Sequence, residues 1–358
     1  MAFDAVEFCA GGGGQALGLE WAGFRCASAV EIDPDCCTTL RMNRPHWDVR
    51  MDDMRTVDGA RWRGIDLFAA GVPCPPFSIA GKQLGADDDR DLFPAALRLV
   101  EEIQPGAVLL ENVPGFAAAK FEAYRRDLAT KLYRLGYVPE WTVLQAADFG
   151  VPQLRPRFLL VALRSSAHER FAWPAPQKER NHVGETLLDL MASRGWPGAI
   201  PWASRAKAVA PTVVGGSKKH GGPDLGPTRA RQAWKELGVD GLGIADEPPG
   251  PDFPVRGLPR LTVRMVARIQ SFPDSWLFSG RKTASYRQVG NAFPPLVASA
   301  VGLCIRSALE GKRVGASSAQ YQAIQMRLIE EQGRYGSSRA PRPVRRKVRQ
   351  GKVSCPPF

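Results

Sequence analysis

Histidine is scarce in this chain, with four residues in 358, and the seven cysteines are odd in number and show no C-x-x-C spacing. A zinc site and a disulfide framework are therefore not expected, which points to a reducing, intracellular compartment. No apolar run reads as approaching membrane-spanning length, and Met1–Glu7 has no basic region followed by an apolar stretch, so a cytosolic protein without a membrane partner is expected. Acid is missing from Gln332–Phe358 while eight Lys or Arg are present there, so this end reads as a disordered basic tail. The whole chain carries a formal charge of +12 and a pI near 9.6. A balance of that sign favours a polyanionic partner, because Lys and Arg displace counterions from phosphates.

Strand-length apolar runs alternate with helical stretches in the first part of the chain. Expected strands are Ala5–Cys9, Ala27–Ile32, Asp66–Ala70, Ala107–Leu110, Trp141–Gln145 and Phe158–Leu163, with helices at Gln15–Ala22, Pro34–Met42, Phe93–Glu102 and Glu122–Leu135. That order predicts an α/β, doubly wound, Rossmann-like sheet. From 165 to 260 the texture changes: 25 of 96 residues are Pro or Gly, and four of the nine tryptophans (173, 196, 202, 234) fall there. A small irregular second domain is expected. Amphipathic patterning resumes at Leu261–Gln270 and Leu296–Leu309. The expected organisation is a catalytic and cofactor-binding domain over 1–165, a recognition domain over 166–257, a return to the first domain over 258–311 and a basic tail over 312–358.

Two segments carry most of the chemistry. Cys74, in Gly71-Val72-Pro73-Cys74-Pro75-Pro76-Phe77-Ser78, sits between prolines at the carboxyl end of an expected strand, and Glu111 opens Glu111-Asn112-Val113-Pro114 at the end of another. Prolines on both sides preclude a regular helix, and strand ends are where α/β enzymes keep their chemistry. A thiol and an acid on adjacent loops suit a nucleophile and its proton donor. Gln153-Leu154-Arg155-Pro156-Arg157 precedes a further strand, and alternation along an extended segment would aim Arg155 and Arg157 the same way. Upstream, Cys9-Ala10-Gly11-Gly12-Gly13-Gly14 joins a strand to a helix, with Glu31 at the end of the next strand. Alone, this suits any adenosyl ligand, NAD included, or simply a tight turn.

In their order, these motifs make the chain resemble the DNA (cytosine-5)-methyltransferase family, over about 4–165 and 257–310. The resemblance implies S-adenosyl-L-methionine as cofactor and duplex DNA as substrate. It implies that Cys74 adds to carbon 6 of an extruded cytosine and that Glu111 holds ring nitrogen 3. Arg155 and Arg157 would complete the catalytic set, with Arg157 on the base, and Asn112 would shape its loop. Gly11, Gly13, Gly14, Glu31, Asp53 and Asn291 would bind the cofactor, with Cys9 where the family usually has phenylalanine; no metal is implied. Ser78–Asp91 would be a mobile loop closing over the base. Eight Lys or Arg against one acid between Arg194 and Lys235 suit the family's target-recognition position. The setting would be bacterial, cytoplasmic and close to the chromosome, either beside a restriction endonuclease of the same site or as a solitary enzyme. A transfer-RNA methylase, a catalytically inert DNA-binding protein and a nicotinamide oxidoreductase stand as rivals.

Overall fold

The computed structural model describes residues 3–72, 91–216, 222–312, 321 and 323–328. Its sheet has seven strands: β1 (Phe3–Phe8), β2 (Phe24–Glu31), β3 (Val49–Met51), β4 (Leu67–Gly71), β5 (Ala107–Asn112), β6 (Val138–Gln145) and β7 (Pro156–Leu163), in the order β3-β2-β1-β4-β5-β7-β6. Strands β1 to β5 run parallel, and β7 is antiparallel to both of its neighbours. The central strands read as unbroken apolar runs because helices cover both faces, and Leu67–Ala70 are fully buried. All six expected strands are present within a few residues. The three-residue β3 adds a seventh, too short to carry a periodic signal.

Helices α1 (Gly14–Trp21), α2 (Pro34–Asn43), α3 (Phe93–Ile103) and α4 (Glu122–Arg134) connect the strands, and a short α5 (Ser165–His168) follows β7. Strand order reverses between β1 and β4, so their carboxyl ends form the crevice where this architecture places ligands. The chain's late helices complete that region from the other end of the sequence. In α11 (Pro295–Leu309), the Pro295 carbonyl lies where a Cβ on Gly18 of α1 would sit only 2.2 Å away, so the two helices touch backbone to backbone. Trp276 Nε1 donates to the Gly12 carbonyl at 3.1 Å.

Beyond α5, the described residues up to 257 form three more short helices, α6 (Val183–Ala192), α7 (Ala199–Arg205) and α8 (Thr228–Glu236), where loops were expected. Two bridges tie this stretch to its flanks, Gln153 with Ala210 and Ala245 with Thr262. The tryptophans explain how so little regular structure packs: Trp202 and Trp234 are fully buried, and Trp202 Nε1 donates to the Gly238 carbonyl at 3.1 Å. Arg268 of α9 (Val263–Ile269) fastens the stretch to the late helices. It donates to the Thr186 carbonyl at 3.1 Å, pairs with Asp189, and lies with Asp274 almost wholly out of water.

Two expectations need correction. The stretch Lys282–Leu309 is apolar and long enough to cross a bilayer by composition, although no such run was expected; it is mostly buried here as the core helices α10 (Lys282–Asn291) and α11. The polar stretch from 312 onward is not wholly solvated either. Tyr321 and Leu328 are buried in the domain core, Tyr321 Oη donates to the Phe149 carbonyl, and Gln177 Nε2 donates to Gln325 at 2.9 Å. Two apolar side chains spaced seven residues apart are enough to seat a helical segment.

Glu7 is the anomaly of the sheet, a carboxyl 2 % exposed on β1 with no partner for Oε2. Burial, then the neighbouring charges of Glu31 and Glu111, push its pKa well above the usual carboxylate range. A folded-state pKa above the unfolded one contributes stability at low pH and loses it as pH rises through the folded value. Glu7→Gln is therefore expected to gain on the parent between pH 5 and pH 8, by up to about 1.4 kcal/mol per pH unit for as long as the folded carboxyl keeps its proton. Urea melts at the two pH values measure it, and a gap independent of pH would show that Glu7 folds with its charge.

Candidate active site

Glu111 is the penultimate residue of β5, next to the carboxyl end of β4. Gly71 faces it in the ladder, and Val72 N donates to the Glu111 carbonyl at 3.2 Å. Asn112, fully buried, fixes both chain ends: its Nδ2 donates to the Val72 carbonyl at 3.3 Å, and its Oδ1 accepts from Val113 N at 2.7 Å. The segment that carries Cys74 thus leaves the sheet within two residues of Glu111. Cys74 itself and the loop expectation at 78–90 lie outside the described residues.

The Glu111 carboxylate accepts from Arg157 Nε at 2.8 Å, and only about a tenth of each side chain is exposed. Burial raises the Glu111 pKa, and the charges of Arg157 and Arg155 oppose this without reversing it. Arg157 fixes the orientation of the Glu111 carboxyl. Arg157 reaches this place because it belongs to β7, antiparallel to β5, with Glu111 opposite Leu159 in the register.

Arg155 does not join it. Its side chain is 1 % exposed and donates to backbone carbonyls, from Nη1 to Val213 at 2.6 Å and from Nη2 to Gly290 at 2.7 Å and Ala292 at 3.0 Å. The expected alternation fails because β7 begins at Pro156, so Arg155 precedes the pleated ladder. Gln153, fully buried, completes the same network. It accepts from Val213 N at 2.8 Å and donates to Gln270 at 3.0 Å, and Gln270 Nε2 donates to the Val289 carbonyl at 2.9 Å. The sequence reading assigned no role to Gln153 or Gln270. The available signal was an amide and a guanidinium flanking apolar strand residues, groups that must find partners if buried.

The glycine loop meets the structural demands placed on it. Gly11 has φ +53° and a Cβ there would meet nothing within 4 Å, so the backbone borders open space. Gly14 is required for packing, since its Cβ would lie 2.2 Å from the Phe293 carbonyl. Gly13, with φ +85°, would press on Leu40 and Trp276. Glu31 accepts from Gly11 N at 2.7 Å and from Asp33 N at 2.8 Å, and its carboxylate retains acceptor capacity for further donors. Cys9 stands in the left-handed region, φ +54°, with Sγ 3.4 Å from Met54 Sδ. Asp53 is held by Arg55 through Oδ2, at 2.5 Å. Asn291 Nδ2 donates to the Gly216 carbonyl at 3.1 Å, so α10 turns this residue toward the 213–216 segment.

A family model for C-5 cytosine-specific DNA methylases matches residues 3–307. This chain belongs to that family. It transfers a methyl group to carbon 5 of cytosine in DNA. Among curated proteins it is 54 % identical over 323 residues to the Type II methyltransferase M.NaeI of Lentzea aerocolonigenes, covering 89 % of this chain and 78 % of that one. It is 51 % identical over 314 residues to the Type II methyltransferase M.NgoMIV of Neisseria gonorrhoeae, covering 87 % and 99 %. Among solved structures, a putative DNA modification methyltransferase encoded within an Escherichia coli prophage superposes with a TM-score of 0.60 at 22 % identity, covering 86 % of this chain and 99 % of that one. A Spodoptera frugiperda DNMT2 mutant superposes at 0.58 with 18 % identity, covering 85 % and 99 %. At these identities the structural matches speak for the methyltransferase fold alone.

Proposed function

We propose that this methylase works with S-adenosyl-L-methionine on one short duplex DNA sequence, with Cys74 as nucleophile and Glu111 as the acid on the cytosine ring. The observation that carries the reading is the buried Glu111–Arg157 pair beside the exit of the chain toward Cys74. The Cys74 sulfur forms a bond to carbon 6, and the displaced ring electrons make carbon 5 nucleophilic. Glu111, its pKa raised by burial, shares or donates its proton at ring nitrogen 3 and so stabilises that charge. Arg157 keeps the Glu111 carboxyl in one orientation. After methylation, loss of the carbon 5 proton to a base lets the carbon–sulfur bond break and frees the enzyme.

The cofactor, when bound, supplies an electrophilic methyl group on sulfur. The open space at Gly11 and the unsatisfied acceptor capacity of Glu31 fit its ribose, and Asp53 would take the adenine amino group. The described part of the basic region exposes Arg205, Lys207, Arg229 and Lys235, suited to phosphates. The acids that follow are matched locally instead, Asp240 with Arg260 at 2.7 Å and Asp246 with Lys282 at 3.0 Å. Since M.NaeI and M.NgoMIV are named Type II methyltransferases, we place the protein in a restriction–modification pair, protecting the chromosome from an endonuclease of the same site.

Bisulfite sequencing of DNA from a methylation-free host expressing the wild type, with Cys74→Ala in parallel, tests this reading. Cytosines protected in one short context, and unprotected in the mutant, are the expected result. No protection by a soluble wild type, or protection that survives in the mutant, would overturn it.

A further inference from the structure

We infer that Arg155 is a positioning residue that holds the cofactor loop and the DNA-facing segment in one joint, and not a group that touches the base. The backbone Gly290–Phe293 is the middle layer of that joint. On one side it abuts the glycine loop: the Phe293 carbonyl is where a Cβ on Gly14 would come within 2.2 Å, and Gln288 is where one on Gly12 would come within 3.3 Å. On the other side it abuts 213–216, where a Cβ on Gly290 would lie 2.4 Å from Gly215 N and one on Gly215 would lie 2.6 Å from the Arg287 carbonyl. Two backbones approach this closely only because both residues are glycine.

Arg155 fastens the two layers. Its Nη1 holds the Val213 carbonyl while Nη2 holds Gly290 and Ala292, at 2.6, 2.7 and 3.0 Å. Both layers are tied again by Asn291 to Gly216 and by Gln153, which meets Val213 directly and reaches Val289 through Gln270. Tyr286 of α10 also donates to the Asp224 carbonyl at 2.5 Å, so the same helix grips the chain on both sides of 217–221. A displacement of 213–216 when basic side chains around it engage phosphates must therefore be passed to Gly290–Phe293 and on to Gly12 and Gly14. Coupling of this kind is reciprocal in binding free energy, so each ligand strengthens the other by the same factor.

The inference rests on the proposed reading of the glycine loop as the cofactor site and of 166–257 as the DNA-facing part. Its test uses the full chain, with Arg155→Lys and Gly215→Ala as variants. A single ammonium cannot serve three carbonyls from two diverging nitrogens, and an added methyl at Gly215 must push the layers apart. Steady-state rates give KM for S-adenosylmethionine and for a duplex carrying the methylated site, and calorimetry gives the affinity for S-adenosylhomocysteine with and without that duplex. In the wild type the duplex is expected to tighten S-adenosylhomocysteine binding roughly tenfold, within the usual range for coupled sites. In both variants that factor should fall below twofold and both KM values should rise together, while kcat per active site stays within about twofold.

A large loss of kcat with both KM values unchanged would overturn the inference and return Arg155 to the base. So would coupling that persists in the variants, or none in an active wild type. Collapse of both variants in thermal melts would also overturn it, leaving a purely structural joint. A wild type that transfers no methyl group to DNA would instead sink the reading beneath it.

Discussion

Glu111→Gln is expected to lower kcat by roughly a hundred- to ten-thousand-fold, the usual contribution of a positioned general acid, with little change in the KM for DNA. The amide keeps the shape of the carboxyl and can still accept a hydrogen bond. It cannot deliver a proton to ring nitrogen 3, nor balance Arg157, whose Nε lies 2.8 Å from the native Oε1. Because burial lifts the native pKa, the wild-type rate should also fall on the alkaline side as Glu111 loses its proton, and that limb should vanish in the variant. Single-turnover methyl transfer from labelled S-adenosylmethionine, across pH, measures both effects. A variant within tenfold of wild type would remove Glu111 from the chemistry.

Asp274→Ala should cost about 3–5 kcal/mol of stability, the range for breaking a buried ion pair by deleting one partner. The Asp274 side chain is 1 % exposed and receives Arg264 at 2.7 Å and Arg268 Nε at 3.0 Å. Its removal leaves the Arg268 guanidinium, 3 % exposed, leaning on Asp189 alone for charge, and Asp189 is itself 43 % exposed. Exchanging both members for apolar residues of similar volume, Arg268→Met with Asp274→Leu, should recover most of the loss, because the charges that then lose a partner, Arg264 and Asp189, are a third or more exposed and no fully buried charge is stranded. Urea unfolding of the three forms distinguishes these outcomes, and a double variant no better than Asp274→Ala would show that the pair is worth more than its desolvation costs. The loss should be felt first in α6, which Arg268 holds through the Thr186 carbonyl at 3.1 Å.

The sheet was legible because its strands are either fully apolar or end in recognisable turns, as Leu67–Gly71 and Ala107–Asn112 do. The glycine loop was legible as a loop, but not which glycines serve packing. Only the approach of Phe293 to Gly14, across most of the chain, separates that one from Gly11, which borders open space. The spacing alone pointed Arg155 and Arg157 the same way, and only the family resemblance set Arg157 on the base; their side chains part at the first residue of β7, and no local pattern marks where a ladder begins. The bond from Asn291 to Gly216 was not legible either: α10, with a glycine and several small polar residues, has little helical signature, so the face it turns to Gly216 was hidden. The helices of 166–257 are masked by proline and glycine, and their core depends on tryptophans whose partners are distant in sequence.

The contact of α1 with α11 has a temporal consequence. Gly18 meets Pro295, and Gly14 meets Phe293, so the glycine turn near the amino end acquires its backing only from residues nearly 280 positions later. At about 5–20 residues per second, a ribosome needs on the order of 14–60 s to travel that distance. Throughout that interval the emerging polypeptide has its glycine turn but no wall behind it. Competence to modify the chromosome should therefore arrive abruptly, as α11 clears the exit tunnel, and a chain cut short before Pro295 should have none.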